Sequence, residues 1–586
     1  MSGLSVKLWK DKAFLNGEFQ ELRRVSLELP GYKKFVNDSL LFETSGKNIE
    51  YLLEKSNIEW SGEAAEIANK HRARLENESK MKEQKGAEVS SSHFKFKTEP
   101  FSHQLKAFEL SKDAEYYGYL MEMGTGKTKV IIDNAAYLYE KGEIDGLMIV
   151  APNGVHAQWV NEQIPTHMPD WVRYSSATYR ASEKAAMKQV DNLMNSATPE
   201  LKIISLNIES FNNAKGLSYI NKFLKKFKTM LVLDESTRIK SPSAGRTKNA
   251  LKCAELAKYR RIMSGAPITK GYEDLYTQLK FLHPDVLGFN SFYTFRNYHC
   301  DMGGFEGKQI VGYRPNAIKE LERKMEAYTL RVTKKECLDL PEKIYTKRYI
   351  SLTDKQKELY NNVKKELAID LRAIKQLKEN EGDKKVDTAL MSAMTKMLRM
   401  QQIVCGHFVI QDEESSEKKE LIDIESNRID ALIECINEAQ GKVIVWSRFV
   451  TDIHKISKEL NKNKIGFRTY HGEVNSKDRE SAINDFRNDQ ETKVFLAQPA
   501  SGGTGLNLAV ASVVIYFSND FNADTRWQSE DRAHRIGQKN NVTYIDLVAE
   551  RTIDNVILES LRSKKNLADA LLDDPRLLVS EDDANE

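Results

Sequence analysis

Cysteine is scarce in this chain and widely scattered: Cys253, Cys300, Cys337, Cys405 and Cys435, with no C-x-x-C pair, so neither a disulfide framework nor a zinc ribbon is expected. Cys405 and His407 stand close enough for half of a metal site, but no second pair completes a tetrahedron, and buried free thiols are the better reading. Long apolar runs are missing too. No stretch approaches a bilayer span, and the opening "MSGLSVKLWKDKAF" lacks an apolar core of signal-peptide length, so a soluble intracellular protein without a membrane partner is expected. Nor is one sign of charge in excess. With 88 basic and 85 acidic side chains the net charge is +3, so any contact with nucleic acid has to be argued from local sites.

The 586 residues, 40% hydrophobic and 30% charged, have an ordinary globular composition and length enough for about three or four domains. Residues 1–75 read as a small α+β module, with strand-like "RRVSLEL" and "SLLFE" before helix-like "NIEYLLEK". The charged, serine-rich stretch 76–92 reads as an exposed helix or a linker. From 93 to 335 short apolar runs ("YYGYL", "GLMIV", "KIISL", "TMLVL", "RRIMS") alternate with helical stretches, the pattern of parallel βαβ units. A second series, "KVIVW", "FRTYH", "KVFLA", "VVIYF" and "VTYIDLV", occupies 441–570. The expected class is α/β with two such lobes. Helical periodicity dominates the segment between the two series, from about 283 to 430, and the acidic tail 571–586 has a disordered composition.

The stretch "GYLMEMGTGKTKVIID" turns from apolar strand to glycine-punctuated loop to helix. A phosphate loop needs glycines that let backbone N–H groups close on the anion, a lysine for the outer phosphates and a hydroxyl for a metal ion. Gly124, Thr125, Gly126, Lys127 and Thr128 supply these, and the helix opening at Lys127 adds its positive dipole end. Met121 takes the place of the pattern's first glycine, a loss the remaining glycines tolerate. About a hundred residues on, "TMLVLDESTRIK" ends a strand in adjacent carboxylates, where open α/β sheets bind ligands. Asp234 is expected to hold Mg2+, partly through water, with Thr128 as the second metal group. Glu235 is expected to orient and deprotonate an attacking water. ATP with Mg2+ and a nucleoside triphosphatase, rather than a kinase, follow from this order of elements.

The second series has no such loop. It carries "QSEDRAHRIGQ" after the strand "VVIYF" and the glycine-rich "SGGTGLNL". Arg532 and Arg535, at i, i+3, share one face of a helix or turn and are expected to stabilise charge on a transferring phosphate, alongside Gln528, His534 and Gln538.

Over roughly residues 97–560 the chain resembles a Swi/Snf-type ATPase of helicase superfamily two, of phage or bacterial type. The matches run in order. "PFSHQLKAFEL" resembles the adenine-reading segment, with Gln104 as its glutamine, and "MEMGTGKT" and "LDEST" resemble the two Walker elements. "VAPNGVHAQW" from Pro152 and "MSGAPIT" with Ser264 and Gly265 resemble the coupling elements, and "LRVTKKECLDLPEK" around Arg331 resembles the junction. In the second lobe "KVIVWSRF" (Ser447), "YHGEVNSKDRESAINDF" (Gly472), "SGGTGLNL" (Gly502, Gly503, Thr504) and "QSEDRAHRIGQ" follow, the last separating this family from other helicases. The resemblance implies two RecA-like lobes with helical protrusions, at about 283–330 from the first and within 336–440 before the second. It also implies double-stranded DNA, or protein–DNA complexes, as partner. It implies ATP-driven translocation along duplex DNA by an enzyme that is a DNA-dependent ATPase, monomeric by preference and cytoplasmic in a prokaryotic or phage-infected cell. A strand-separating or fork-remodelling helicase, and a non-hydrolysing DNA-binding scaffold, are the alternatives. The N-terminal module is faintly similar to the DNA-binding repeat of annealing helicases, the plainer reading being a fold-stabilising or docking extension.

Three departures bear on these expectations. Ser236 and Thr237 follow Asp234-Glu235 where Ala-His is common, so a histidine contact is lost. Ala266 stands at a usual threonine, leaving Ser264 as the coupling hydroxyl. "AQPA" before Ser501 replaces a Ser-Thr-Lys-like run, which removes expected phosphate contacts.

Overall fold

Alternation of apolar runs with helical stretches yields, in the computed structural model of the chain, two parallel sheets and a smaller mixed one. Residues 4–563 are described except 10–11, 32, 56–57, 87–91, 154, 304–308, 338–339, 381–382, 412–418 and 503–505. The chain divides into two compact units, Met1–Leu338 and Asp339–Glu586.

In the first unit the five expected strands, Tyr116–Met121, Gly146–Ala151, Leu201–Asn207, Thr229–Asp234 and Tyr259–Met263, form the middle of a seven-stranded sheet. Thr329–Val332 closes it at the Tyr116–Met121 side and Tyr174–Thr178 at the Leu201–Asn207 side. Every pairing is parallel, and the central strands are buried along their length, as helices on both faces require. The register sets Met263 opposite both Tyr119 and Asp234, and Val332 opposite Met121. Four strands therefore end within two residues of one another at one edge.

"RRIMS" places two arginines in a core strand. The fully buried Arg261 guanidinium donates to Asn134 Oδ1 (2.9 Å) and to the carbonyls of Glu115 (2.9 Å), Arg260 (2.9 Å), Ser111 (3.1 Å) and Ala114 (2.6 Å). A charge out of water persists only with such a set of partners. Here it fastens helix Ser102–Ser111 and helix Lys127–Glu140 to the sheet.

The N-terminal module is a five-stranded sheet in the order Lys33–Val36, Ser39–Glu43, Lys12–Asn16, Leu4–Trp9, Ile58–Trp60. "SLLFE" is a strand and "NIEYLLEK" lies in helix Gly46–Leu53, but "RRVSLEL" is not a strand: Phe19–Glu28 is a helix. The apparent alternation of Val25, Leu27 and Leu29 misleads, because Leu22, Val25 and Ser26 at helical spacing are the buried face while Leu27 is 78% exposed. The charged stretch from 76 is helical through the end of Glu63–Gly86, whose Glu78 accepts from Tyr328 Oη (2.7 Å). Residues 87–91 and the tail 571–586 lie outside the described residues. Between 283 and 330 the helices Phe292–His299 and Pro315–Tyr328 enclose an antiparallel pair, Cys300–Gly303 with Gln309–Tyr313.

The second unit has a six-stranded parallel sheet in the order Lys343–Ile350, Val542–Ala549, Ala511–Tyr516, Lys442–Trp446, Val494–Ala497, Phe467–Tyr470. Its first strand lies far upstream of the expected start at 441, separated from the rest by the helix pair Asp354–Asn380 and Asp383–Val404. Trp446 faces Ala497 and Tyr516 in register, and Ala497 faces Tyr470, so Ser447, Gln498 and His471 leave the sheet at one edge. Cys253, Cys300, Cys405 and Cys435 are buried free thiols, while Cys337 is only partly covered. Among the described residues no helix is long and apolar enough to cross a membrane.

Candidate functional site

The strand ends of the first unit gather the sequence-predicted nucleotide residues. After Met121 the chain turns through Gly124 (φ +80°) and Gly126 (φ +85°) into helix Lys127–Glu140. Both glycines hold left-handed backbone, which glycine adopts without strain. A Cβ on Gly126 would in addition lie 2.0 Å from Gln104 Nε2. Gln104 is a brace of the loop: its Oε1 accepts from Phe101 N (3.0 Å) and its Nε2 donates to Thr125 O (3.1 Å). His103 Nε2 donates to the same carbonyl at 2.8 Å, and burial lowers this histidine's pKa, which favours the neutral ring. Lys127 is buried and donates to the carbonyls of Met121 (2.7 Å) and Glu122 (3.1 Å), while Thr125 Oγ1 donates to Glu122 O (2.8 Å). Thr128 is half-buried in the first turn of the helix.

Glu122 joins this loop to the end of the unit. Its N–H donates to Val332 O (2.9 Å) and its Oε2 accepts from Lys334 N (2.9 Å).

Asp234 is the last residue of its strand, and Trp159 Nε1 donates to its Oδ2 at 3.1 Å. Trp159 is buried at the start of a π-helical turn, Trp159–Gln163, following Pro152, whose carbonyl accepts from Val155 N and His156 N. Sequence reasoning marks the element from Pro152 to Trp159 but gives Trp159 no role of its own. Glu235 adopts φ +58°, ψ 60°, a conformation uncommon for a side-chain-bearing residue, and is buried at the entry to the 3-10 turn Ser236–Ile239. Ser236 Oγ donates to Gln278 Oε1 at 2.7 Å. Ser264, on the intervening strand's end, is fully buried, its hydroxyl accepting from Ala266 N (3.2 Å), and a Cβ on Gly265 would sit 3.1 Å from Met123 Cγ of the phosphate loop. The donor set available for Mg2+ consists of hard oxygens, which fit that ion: the Thr128 hydroxyl in the first turn of helix Lys127–Glu140 and the Asp234 carboxylate at the end of a strand one removed from Tyr116–Met121.

In the second unit Gly472 is exposed, with open space where a Cβ would stand, whereas Ser447 is buried with its hydroxyl near Asp452 Oδ2 (3.0 Å) and Ser518 Oγ (3.2 Å). Gly502 ends the short helix Pro499–Gly502; Gly503 and Thr504 lie outside the described residues. Arg532 and Arg535 follow helix Ala523–Glu530 in a run of turns, not on one helix. Arg532 Nε donates to Gln528 O (2.9 Å) and its carbonyl accepts from Leu508 N (3.0 Å), while an Arg535 guanidinium N–H donates to Leu506 O (2.9 Å). Gln538 donates to the carbonyls of Ala509 (3.0 Å), Ala511 (2.8 Å) and Ala533 (3.2 Å), and His534 Nε2 to Pro341 O (2.7 Å). Gln538 and His534 thus tie the motif to the 509–511 stretch and to Pro341.

Two parallel α/β units in one chain, the first with a phosphate loop and strand-end carboxylates and the second without a loop of its own, have the build of helicase-like proteins. Residues 111–409, about half of the chain, match the SNF2-related domain family, and residues 427–537 match the helicase conserved C-terminal domain. The chain belongs to the SNF2-related family, and its two parallel sheets are RecA-like lobes. It is 26% identical over 460 residues to an "uncharacterized ATP-dependent helicase" of Mycoplasma genitalium, covering 78% of this chain and 40% of that protein. It is 26% identical over 474 residues to a SWI/SNF-related matrix-associated actin-dependent regulator of chromatin, subfamily A member 1, of Homo sapiens, covering 78% and 42%. The chain thus spans about 40% of the length of the curated relatives it matches. The Sulfolobus solfataricus SWI2/SNF2 ATPase core in complex with dsDNA is 22% identical, covers 84% of this chain and 99% of its own, and has a TM-score of 0.35.

Proposed function

We propose that this protein hydrolyses ATP to move along double-stranded DNA or to remodel protein–DNA complexes. The observation that carries the reading is the common strand edge where the Gly124–Thr128 loop, Ser264–Gly265 and Asp234–Glu235 meet. Family membership and relatives named as ATP-dependent helicases support it.

In this reading Lys127 exchanges its carbonyl partners for the outer phosphates, the Gly124–Gly126 backbone and the helix dipole hold the remaining charge, and Gln104 sets the loop that faces the base. Thr128 and Asp234 hold Mg2+, which when bound offsets phosphate charge. Trp159 orients Asp234. Glu235 accepts the proton of the attacking water. Arg532 and Arg535 are proposed to meet the nucleotide during turnover, with Gln528 beside them. Pro152, Ser264 and Gly265 in the first lobe, and Ser447, Gly472, Gly502, Gly503 and Thr504 in the second, are proposed to grip the duplex by its phosphates, which repeat uniformly and need no base readout. The buried Ser447 and Ser264 hydroxyls make their contribution to that grip one of shaping backbone.

The test is ATP hydrolysis with duplex DNA, single-stranded DNA or RNA, run beside triplex displacement and strand separation. Stimulation by duplex with triplex displacement is expected; strand separation without displacement would replace translocation by unwinding. Lys127→Ala should abolish hydrolysis and leave salt-sensitive DNA binding intact. Hydrolysis surviving in that variant would refute the loop assignment.

A further inference from the structure

We infer that the second unit holds one divalent transition-metal ion between His454, His471 and Glu473. His454 lies on helix Val450–Lys462, and His471 and Glu473 lie on the turn that follows strand Phe467–Tyr470 at the sheet edge. Each offers one ligand atom, and the three atoms lie within 4.8 Å of one another, the one such group among the described residues. His454 Nε2 and Glu473 Oε2 are 3.2 Å apart, and the two imidazoles are 5.6 Å apart at 73°.

Tetrahedral zinc, with bonds of about 2.0–2.1 Å, needs ligand atoms about 3.4 Å apart. One pair is already at that separation. The widest need close only by a rotamer adjustment, which His454 and Glu473 can make because their side chains are 55% and 64% exposed. His471 is the fixed member: it is 5% exposed, and its Nδ1 is buried without a hydrogen-bond partner. A polar atom out of water and unpaired is costly, so its presence calls for a partner. Arg479 donates to the carbonyls of His471 (2.8 Å) and Gly472 (3.0 Å) and Val474 N to His471 O (3.1 Å), so the turn is already set. Two imidazoles and a carboxylate with a fourth position open suit Zn2+, Co2+ or Ni2+ rather than Mg2+ or Ca2+. The ion would clasp the turn bearing Gly472 to the helix.

Full-length protein stripped with a chelator is titrated with Co2+, without nucleotide, and followed by visible absorption, then by competition with Zn2+. One equivalent is expected, displaced by Zn2+, without thiolate charge transfer. His454→Ala and Glu473→Ala, both at exposed positions and checked by unchanged melting in chelator, should each weaken uptake by about tenfold or more. Uptake unchanged in both variants, thiolate bands, or no saturable binding would overturn the site and leave an ordinary histidine–carboxylate hydrogen bond.

Discussion

Glu235 shows how a single residue joins backbone strain to chemistry. Its left-handed conformation costs about 1 kcal/mol or more for a residue with a Cβ, and such outliers concentrate at working sites. The turn it makes lets a strand that ends in Asp234 pass at once into Ser236–Ile239. Glu235→Gln keeps the shape and removes the basicity. Equilibrium binding should find ATP affinity little changed while turnover falls by about a hundredfold or more; lost affinity would mark Glu235 as structural. Lys127, Asp234 and Glu235 are legible in sequence because phosphate chemistry demands those residue types at the ends of apolar strands. Trp159 is not, since its partner Asp234 is 75 positions away and nothing in a tryptophan announces a carboxylate. Thr237 reads in sequence as a lost histidine contact, and Ser236, at the usual alanine, has its hydroxyl on Gln278 in the fold.

At the scale of elements, Arg261 fixes the two helices whose N-terminal ends shape the phosphate loop. Arg261→Met removes five hydrogen bonds around buried carbonyls and an amide. Denaturant unfolding should show a loss of about 3 kcal/mol or more, because the Asn134 Oδ1 and Ala114 carbonyl acceptors lose their buried guanidinium donor. ATP affinity should fall as well, since Gln104 and Lys127 lose their common support. The central strands are readable because burial on both faces makes them continuously apolar. Lys343–Ile350 is not: as an edge strand it leaves Ile344, Tyr345 and Tyr349 exposed among charged neighbours, and its sheet partner Val542–Ala549 lies far downstream. The helix Phe19–Glu28 imitates a strand because period two and period 3.6 coincide over so few residues.

Across the whole molecule, buried histidines make stability depend on pH. Burial, with Arg180 nearby, lowers the His156 pKa from 6.5 to about 4; burial does the same for His167 and His299, to about 4 each. Above pH 6.5 these rings are neutral folded and unfolded. As pH falls toward 4 the unfolded chain takes up protons that the folded chain refuses, so stability is lost across that window, up to about 3 kcal/mol from the well-buried His156 alone. Asp133 acts in the opposite sense: burial, against the pull of Lys129, raises it from 3.8 to about 6, so its contribution grows as pH falls through 6. These histidines, with His103 and His471 shifted the same way, outnumber Asp133 and predict a lower thermal midpoint at pH 5 than at pH 7 by calorimetry; a higher one would mean that Asp133 dominates.

The backbone leaves the first unit beside Glu122, whose amide and carboxylate grasp Val332 and Lys334. The covalent thread to the rest of the chain is therefore spliced into the loop two residues ahead of Gly124. Any displacement of the Gly124–Thr128 loop is thereby passed to residues 332–334, in the last stretch of the first unit.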